Sequence, residues 1–279
     1  MNDQTKAAIH ILQGLMNVES RIQGLICNRN VEKKWAEECQ QRKALAYKRL
    51  KKAVMDIPAH SARERMSKFV AYGLRSSIHM QLEKRRKGEG VPVLPWMDVG
   101  LLSDVDYGDG EWGGELTDAY VAAIVSAEPF ECILGQLFNE LVGSGQKNRD
   151  CQDFTPWGLA SGMQRLLPGF DGDGHQMPLL NDPTCGAGTL LLAQLWACVQ
   201  KQRNDPDVLK DVVVSANDRD PLCAAMTALQ LLINQLVWER PIGGVQVECK
   251  DFISQRAWVV PVFASEARED CPFELEVSG

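Results

Sequence analysis

Along the first 90 residues, apolar positions recur at helical spacing. Ile9, Leu12, Met16, Ile22 and Leu25 keep roughly one stripe, which predicts a first helix. From Glu32 to Met55, Ala and Leu mixed with Lys, Arg and Glu predict a second. Pro58 interrupts the pattern, because proline lacks an amide hydrogen and its ring clashes with the preceding turn. Ser61 is placed to cap a third helix running to about Lys87. Between Gly88 and Gly114 the periodicity is lost among glycines, two prolines and acids such as Asp104, Asp106, Asp109 and Glu111. That is the composition of a linker or an irregular loop.

Beyond it, helical and strand-like runs alternate. Helices are expected at 115–127, 130–143 and 156–167. A short strand from Met177 to Asn181 leads through a Gly-containing turn into a helix at 188–202. Asp211 to Ala216, a β-branched run too short for a helix, predicts a second strand. A helix at 221–237, opened by Asp220-Pro221, and a strand at 244–249 complete the order. βαβαβ implies parallel strands joined by right-handed crossovers. The expected architecture is therefore α/β: a basic helical domain over 1–87, a Gly- and acid-rich linker over 88–114, and an α/β domain over 115–279.

Composition narrows the classes. With 279 residues, 45% hydrophobic and 24% charged, the chain has the make-up of a soluble globular protein. It has no apolar run of the roughly 18 residues that a membrane span requires, which predicts no membrane partner. Its start, MNDQTK, is not that of a signal peptide. Nine cysteines without a C-x-x-C pair suit neither a disulfide framework nor a zinc site; a reduced, cytoplasmic setting and no bound metal are expected. The net charge of −7 is divided unevenly: residues 1–90 hold 19 Lys and Arg against 9 Asp and Glu, and the remainder 11 against 28. The basic end suits an anion such as DNA, or forms solvated helix faces.

Candidate chemistry centres on Asp182-Pro183-Thr184-Cys185-Gly186-Ala187-Gly188-Thr189, the turn between the first strand and its helix. Gly186 and Gly188 remove Cβ atoms where backbone must approach a ligand. Asp218, near the end of the second strand, is placed to accept from both hydroxyls of a ribose. A dinucleotide site wants G-x-G-x-x-G, and Leu191 stands at the third glycine position. A cationic nucleoside without phosphates, S-adenosylmethionine (SAM), suits an acidic pocket better. His10, His60, His79 and His175 are dispersed, and no G-x-S-x-G elbow occurs.

NDPTCGAGTLLLA resembles the first motif of the adenine-N6 DNA methyltransferases, in particular the modification subunits of type I restriction systems. Upstream, PFECILGQLFNELVGSGQKNRDCQDFTPWGLASGMQRLL is similar to that family's helix, loop and Q-x-F-T-P segment. Downstream, VSANDRDPLCAAMTALQLLIN is similar to its second strand, ribose-binding acid and following helix. The ordered matches run from about Phe130 to Asn234 and extend to Asp251. The resemblance implies a Rossmann-like SAM-dependent methyltransferase sheet, incomplete here, with SAM as cofactor. It implies that Phe154, Thr155 and Pro156 flank the methionine end, and that Asp182, Thr184, Gly186 and Gly188 line the methionine and ribose. It further implies that Asp218 binds the ribose hydroxyls and that Asp251 faces the adenine.

The family's catalytic motif is Asn, Asp or Ser followed by Pro-Pro and an aromatic; it receives the amino group of a flipped base. This chain has no Pro-Pro dipeptide. The nearest candidate in place is Val259-Val260-Pro261-Val262-Phe263, with Val260 where the acceptor belongs and 16 residues following Phe263. No catalytic residue is assigned. Three readings follow: an adenine-N6 DNA methyltransferase, or one half of a split enzyme whose catalytic strand comes from another chain; a non-catalytic partner or regulator of a restriction–modification or anti-restriction system; and a nucleic-acid-binding accessory protein that keeps the fold only as scaffold.

Overall fold

The computed structural model describes residues 29–86, 113–142, 154–166, 179–251 and 260–266, with side chains for all but 29–33, 79, 81–86 and 260–266. The stripe from Ile9 to Leu25, the linker up to Trp112, His10 and His175 lie outside the described residues. Seven helices and four strands are described: α1 (Arg29–Met55), α2 (Ala62–Arg86), α3 (Gly113–Ser126), α4 (Ile133–Leu141), α5 (Trp157–Leu166), β1 (Leu179–Asp182), α6 (Thr189–Lys201), β2 (Val213–Asp218), α7 (Pro221–Trp238), β3 (Gly244–Cys249) and β4 (Val260–Glu266).

The sheet order is β1-β2-β3-β4. β1 to β3 run parallel, with Leu180 opposite Val214 and Val214 opposite Val245. β4 was not foreseen. It pairs antiparallel with β3, Val247 opposite Phe263 and Cys249 opposite Val260, with an irregularity at Val247/Glu248 where Pro261 enters the ladder. Proline has no amide hydrogen to give a ladder, so it is tolerated at a bulge or on an edge strand. The parallel expectation therefore holds for three strands and not for the fourth.

α7 organises the core. Its sequence is apolar on almost every side, and all residues from Leu222 to Gln235 are buried. Asp220 caps it, accepting from the Leu222 amide at 3.0 Å, and Pro221 opens the first turn with a φ already suited to a helix. The helix is long and apolar enough to cross a membrane by length and composition, but most of it is buried inside the protein. It packs on β2 and β3 and against α2, α3 and α4.

The chain divides into two compact units, Met1–Ala44 and Leu45–Gly279. Within the second unit, Leu50, Val54, Met66, Phe69, Val70 and Leu74 are buried in one core with Leu229, Leu232 and Val245. Burial of each large side chain contributes about 1.5–3 kcal/mol, so α2 is part of this core and not an appendage. A Cβ on Gly73 would stand 2.9 Å from Leu229 Cδ2, a close approach of α2 to α7 that glycine allows. Ser61 caps α2 as the sequence predicts, its Oγ accepting the Glu64 amide at 3.1 Å, while Glu64 Oε2 accepts the His60 amide at 2.8 Å.

Candidate cofactor-binding edge

The carboxyl ends of parallel strands are where open α/β sheets bind ligands, since loops there diverge and expose backbone. Here those ends carry Asp182, Asp218 and, just past Cys249, Asp251. The turn after β1 begins with Asp182, whose Oδ1 accepts the Thr184 amide at 3.0 Å. It ends with Gly188 at φ 77°, the N-cap position of α6, its amide bonded to the Cys185 carbonyl at 2.7 Å. Gly186 has φ 55°. A Cβ at Gly186 would lie 3.0 Å from the Phe154 ring, and one at Gly188 would lie 2.9 Å from Thr227 Oγ1. Both left-handed angles and both close approaches exclude a side chain.

Phe154 lies over this turn. Its ring stacks at a tilt against Phe138 of α4, centroids 5.0 Å apart, and its carbonyl accepts from Asn139 Nδ2 at 3.1 Å. The Pro156 carbonyl accepts the Leu159 and Ala160 amides and so starts α5. That helix is fixed to α6 by the edge-on contact of Trp157 with Trp196, and by Arg165 5.2 Å above the Trp196 ring. Phe154 is thereby brought to the Gly186 turn, with half-buried Thr155 and exposed Pro156 following it.

Beneath the turn runs a row of polar residues that the sequence reading passed over. Thr227, Gln230 and Asn234 are buried at three- and four-residue spacing on α7. Thr227 Oγ1 donates to the Gly186 carbonyl at 2.9 Å, and Gln230 Nε2 to the Ala187 carbonyl at 2.7 Å. Gln230 Oε1 accepts the Ile133 and Leu134 amides at 2.9 and 3.0 Å, serving as the cap that Cys132 does not supply to α4. Asn234 Oδ1 accepts the amide of Phe130, which sits at φ 62°. The helix expected at 130–143 accordingly starts at Ile133. The available signal was three polar residues on one stripe of an otherwise apolar helix.

Asn217 ties the strand ends together. Its Nδ2 donates to the Pro183 and Lys250 carbonyls at 2.8 and 3.2 Å, and its Oδ1 accepts the Lys250 amide at 3.0 Å. Its own carbonyl accepts the Cys185 amide at 2.8 Å. Asp218 then accepts the Gly186 amide on Oδ2 at 2.9 Å and the Asp220 amide on Oδ1 at 2.8 Å. A carboxylate has about four acceptor sites, so each oxygen retains one for a ligand hydroxyl.

The edge is acidic. Burial raises the carboxyl pKa values of both Asp182 and Asp218 above the usual range; the backbone bonds from Thr184, and from Asp220 and Gly186, work against it. The charges of Asp220 and Asp182 raise Asp218 further. Burial also pushes the Cys185 and Cys223 thiols far up and the Cys249 thiol up to about 11, so all three are neutral at physiological pH. Lys250 pairs with Glu248, and Arg63 with Asp220. The charges of Asp182 and Asp218 would repel a polyphosphate here and attract a ligand with a positive centre.

Asp251 follows β3 and is half-buried. The Val260-Pro261 segment, taken from the sequence to stand at the family's catalytic position, belongs to β4 and pairs with the Cys249 and Glu248 positions of β3. It is three strands from β1, roughly 14 Å at the usual strand spacing. Among the described residues no group of three or more His, Cys, Asp or Glu side chains is arranged to hold a metal ion. No protein-family model matches the chain, and no curated protein matches it significantly.

Proposed function

We propose that this chain binds SAM on the Asp182–Asp218 edge and is related to the adenine-N6 DNA methyltransferases of type I restriction–modification systems. The observation that carries the reading is Asp218: half-buried, each oxygen held by one backbone amide, with one acceptor site left per oxygen. A ribose diol is the bidentate donor for such a carboxylate. In this reading the Gly186–Gly188 turn, packed between Phe154 and Thr227, lines the methionine and ribose with its backbone, and Phe154, Thr155 and Pro156 flank the methionine end. Asp182 and Thr184 line the methionine and ribose, and Asp251 faces the adenine. The acidic edge favours a sulfonium cation over a pyrophosphate.

Calorimetric titration of the full chain with SAM tests this directly. One site is expected, and Asp218→Ala should weaken it by at least about tenfold, because charge-assisted hydrogen bonds to two hydroxyls contribute on the order of 1.5–3 kcal/mol each. Unchanged affinity in that variant removes Asp218 from the site.

A second reading, in which the chain is a non-catalytic partner or regulator, is favoured by one observation. Val260 has no hydrogen-bond acceptor in its side chain, and β4 runs antiparallel beyond β3. Loss of a pre-positioned acceptor typically costs about a hundredfold or more in rate. The chain alone, given methyl-labelled SAM and adenine-rich DNA, is therefore expected to transfer nothing above background. Robust incorporation that Asp182→Ala abolishes would overturn this.

DNA is the proposed anionic partner of the basic N-terminal residues. On α1, Lys34, Arg42, Lys48, Arg49 and Lys52 are exposed. Since α2 belongs to the core, deleting residues 1–90 would unfold what remains. Charge reversal of Lys48, Arg49 and Lys52 is the cleaner test, with a reduced salt dependence of binding expected.

A further inference from the structure

A basic side chain reaches the acidic edge from α2, outside the βαβαβ order. Arg63 Nη2 lies 2.7 Å from Oδ1 and 2.6 Å from Oδ2 of Asp220, a pair in which the two side chains are 30% and 11% exposed. Asp220 caps α7 through the Leu222 amide, and its own amide donates to Asp218 Oδ1 at 2.8 Å. Asp218 Oδ2 in turn holds the Gly186 amide at 2.9 Å. A continuous path of hydrogen bonds thus runs from the first turn of α2 to the glycine turn after β1.

Asp182 and Asp220 both act on Asp218, and the Cys185, Cys223 and Cys249 thiols that feel the same acids are neutral. Arg219 is exposed, and Lys250 engages Glu248. Four carboxylates, Asp182, Asp218, Asp220 and Asp251, therefore share one edge, and the guanidinium of Arg63 sits on the one that is both a helix cap and a neighbour of Asp218. Neutralising Asp220 removes a like charge from beside Asp218 and leaves its backbone amide in place to orient Asp218.

We propose that Arg63 is a positioning residue of the cofactor edge, acting through Asp220 to keep Asp218 ionised and aimed at the ligand's diol. The inference rests on the SAM reading above. It gives α2, whose sequence contains no cofactor motif, a defined part in the site.

The test titrates SAM into wild-type chain, Arg63→Gln, Arg63→Lys, Asp220→Asn and the Arg63→Gln/Asp220→Asn double variant, from about pH 5 to about pH 8, with circular dichroism to verify folding. Arg63→Gln should bind about tenfold more weakly and lose affinity at a higher pH as the solution is acidified, because an unscreened Asp220 favours protonated Asp218. Arg63→Lys should recover most of the loss. The double variant should return to within about twofold of wild type, since asparagine still caps α7 and the repelling charge is gone. Asp220→Asn alone should extend binding to lower pH, and it carries the test with Arg63→Lys if Arg63→Gln does not fold. An unchanged affinity and pH profile in Arg63→Gln, a double variant as weak as Arg63→Gln, or an unmoved profile in Asp220→Asn overturns the inference while wild type still binds. A wild-type chain that binds no SAM overturns the reading and the inference together.

Discussion

The carboxyl edge of the sheet is built differently at its two ends. Around β1 and β2 the backbone of the turn is fastened from three directions: Phe154 above Gly186, Thr227 and Gln230 beneath Gly186 and Ala187, and Asn217 across to Pro183 and Lys250. At the β3 end, Asp251 follows the strand directly, and β4 closes the edge in the antiparallel sense with a bulge and a proline. The first end uses buried polar groups to hold carboxylates and glycines in fixed places, as the proposed ligand edge would require. The second is an ordinary sheet margin. The proposed binding chemistry therefore falls at the β1–β2 end.

Substitutions at the two ends should differ in size. Gly186→Val should abolish SAM binding, because a branched side chain is strained at φ 55° and meets the Phe154 ring, which displaces the turn and Phe154 from the arrangement the proposed site needs. Calorimetry checks it, and undiminished affinity would mean that the turn does not bind the ligand. Gln230→Leu should destabilise the fold by about 3–5 kcal/mol, since it leaves the Ile133 and Leu134 amides and the Ala187 carbonyl buried without their partner. Denaturant unfolding measures this, and a loss under about 1 kcal/mol would show that the row on α7 is not structural.

The third effect is a pH trend. Burial raises the carboxyl pKa values of Asp182 and Asp218 in the folded state, so the native chain binds these protons more tightly than the unfolded one. Their contribution to stability is fully present below the ordinary aspartate value of about 4 and is lost as pH rises through the raised folded values. Ligand affinity should move oppositely, rising over the same window as Asp218 ionises. Glu64 and Glu140 are shifted down and act in the other sense, so the comparison is made against Asp218→Asn. The stability deficit of that variant should shrink as pH rises, and a deficit that grows would contradict the assignment. The smallest effect is expected at the β3 end: Asp251→Ala should weaken SAM by about threefold, a single hydrogen bond's worth at a half-exposed position.

Element types were largely legible in the sequence because the periodicities were clean. The helix from Pro221 to Trp238 and the strand from Gly244 to Cys249 lie within a residue of where pattern and capping placed them. That Asp182, Gly186, Gly188 and Asp218 meet was also legible, because the carboxyl ends of parallel strands share one edge, and the structure brings them together with Phe154. What was not legible depends on long-range contacts. Nothing near Arg63 announces a partner 157 residues away. Gln230 and Asn234 read as interruptions of an apolar helix until the termini they cap are placed beside them. β4 was not legible because an edge strand with a proline lacks the apolar alternation of a buried one, and the packing of α2 on α7 was not because charge conceals its buried stripe.

The most direct test of the central claim is where a bound SAM molecule touches the chain. Ultraviolet cross-linking of methyl-labelled SAM to the full protein, followed by peptide mapping, reads this without mutation. Label is expected in the peptides carrying Phe154 to Pro156 or Asp182 to Gly188, and excess unlabelled SAM should compete it away. Label confined to the β3–β4 margin or to the basic N-terminal helices, or no competable label at all, would contradict the account.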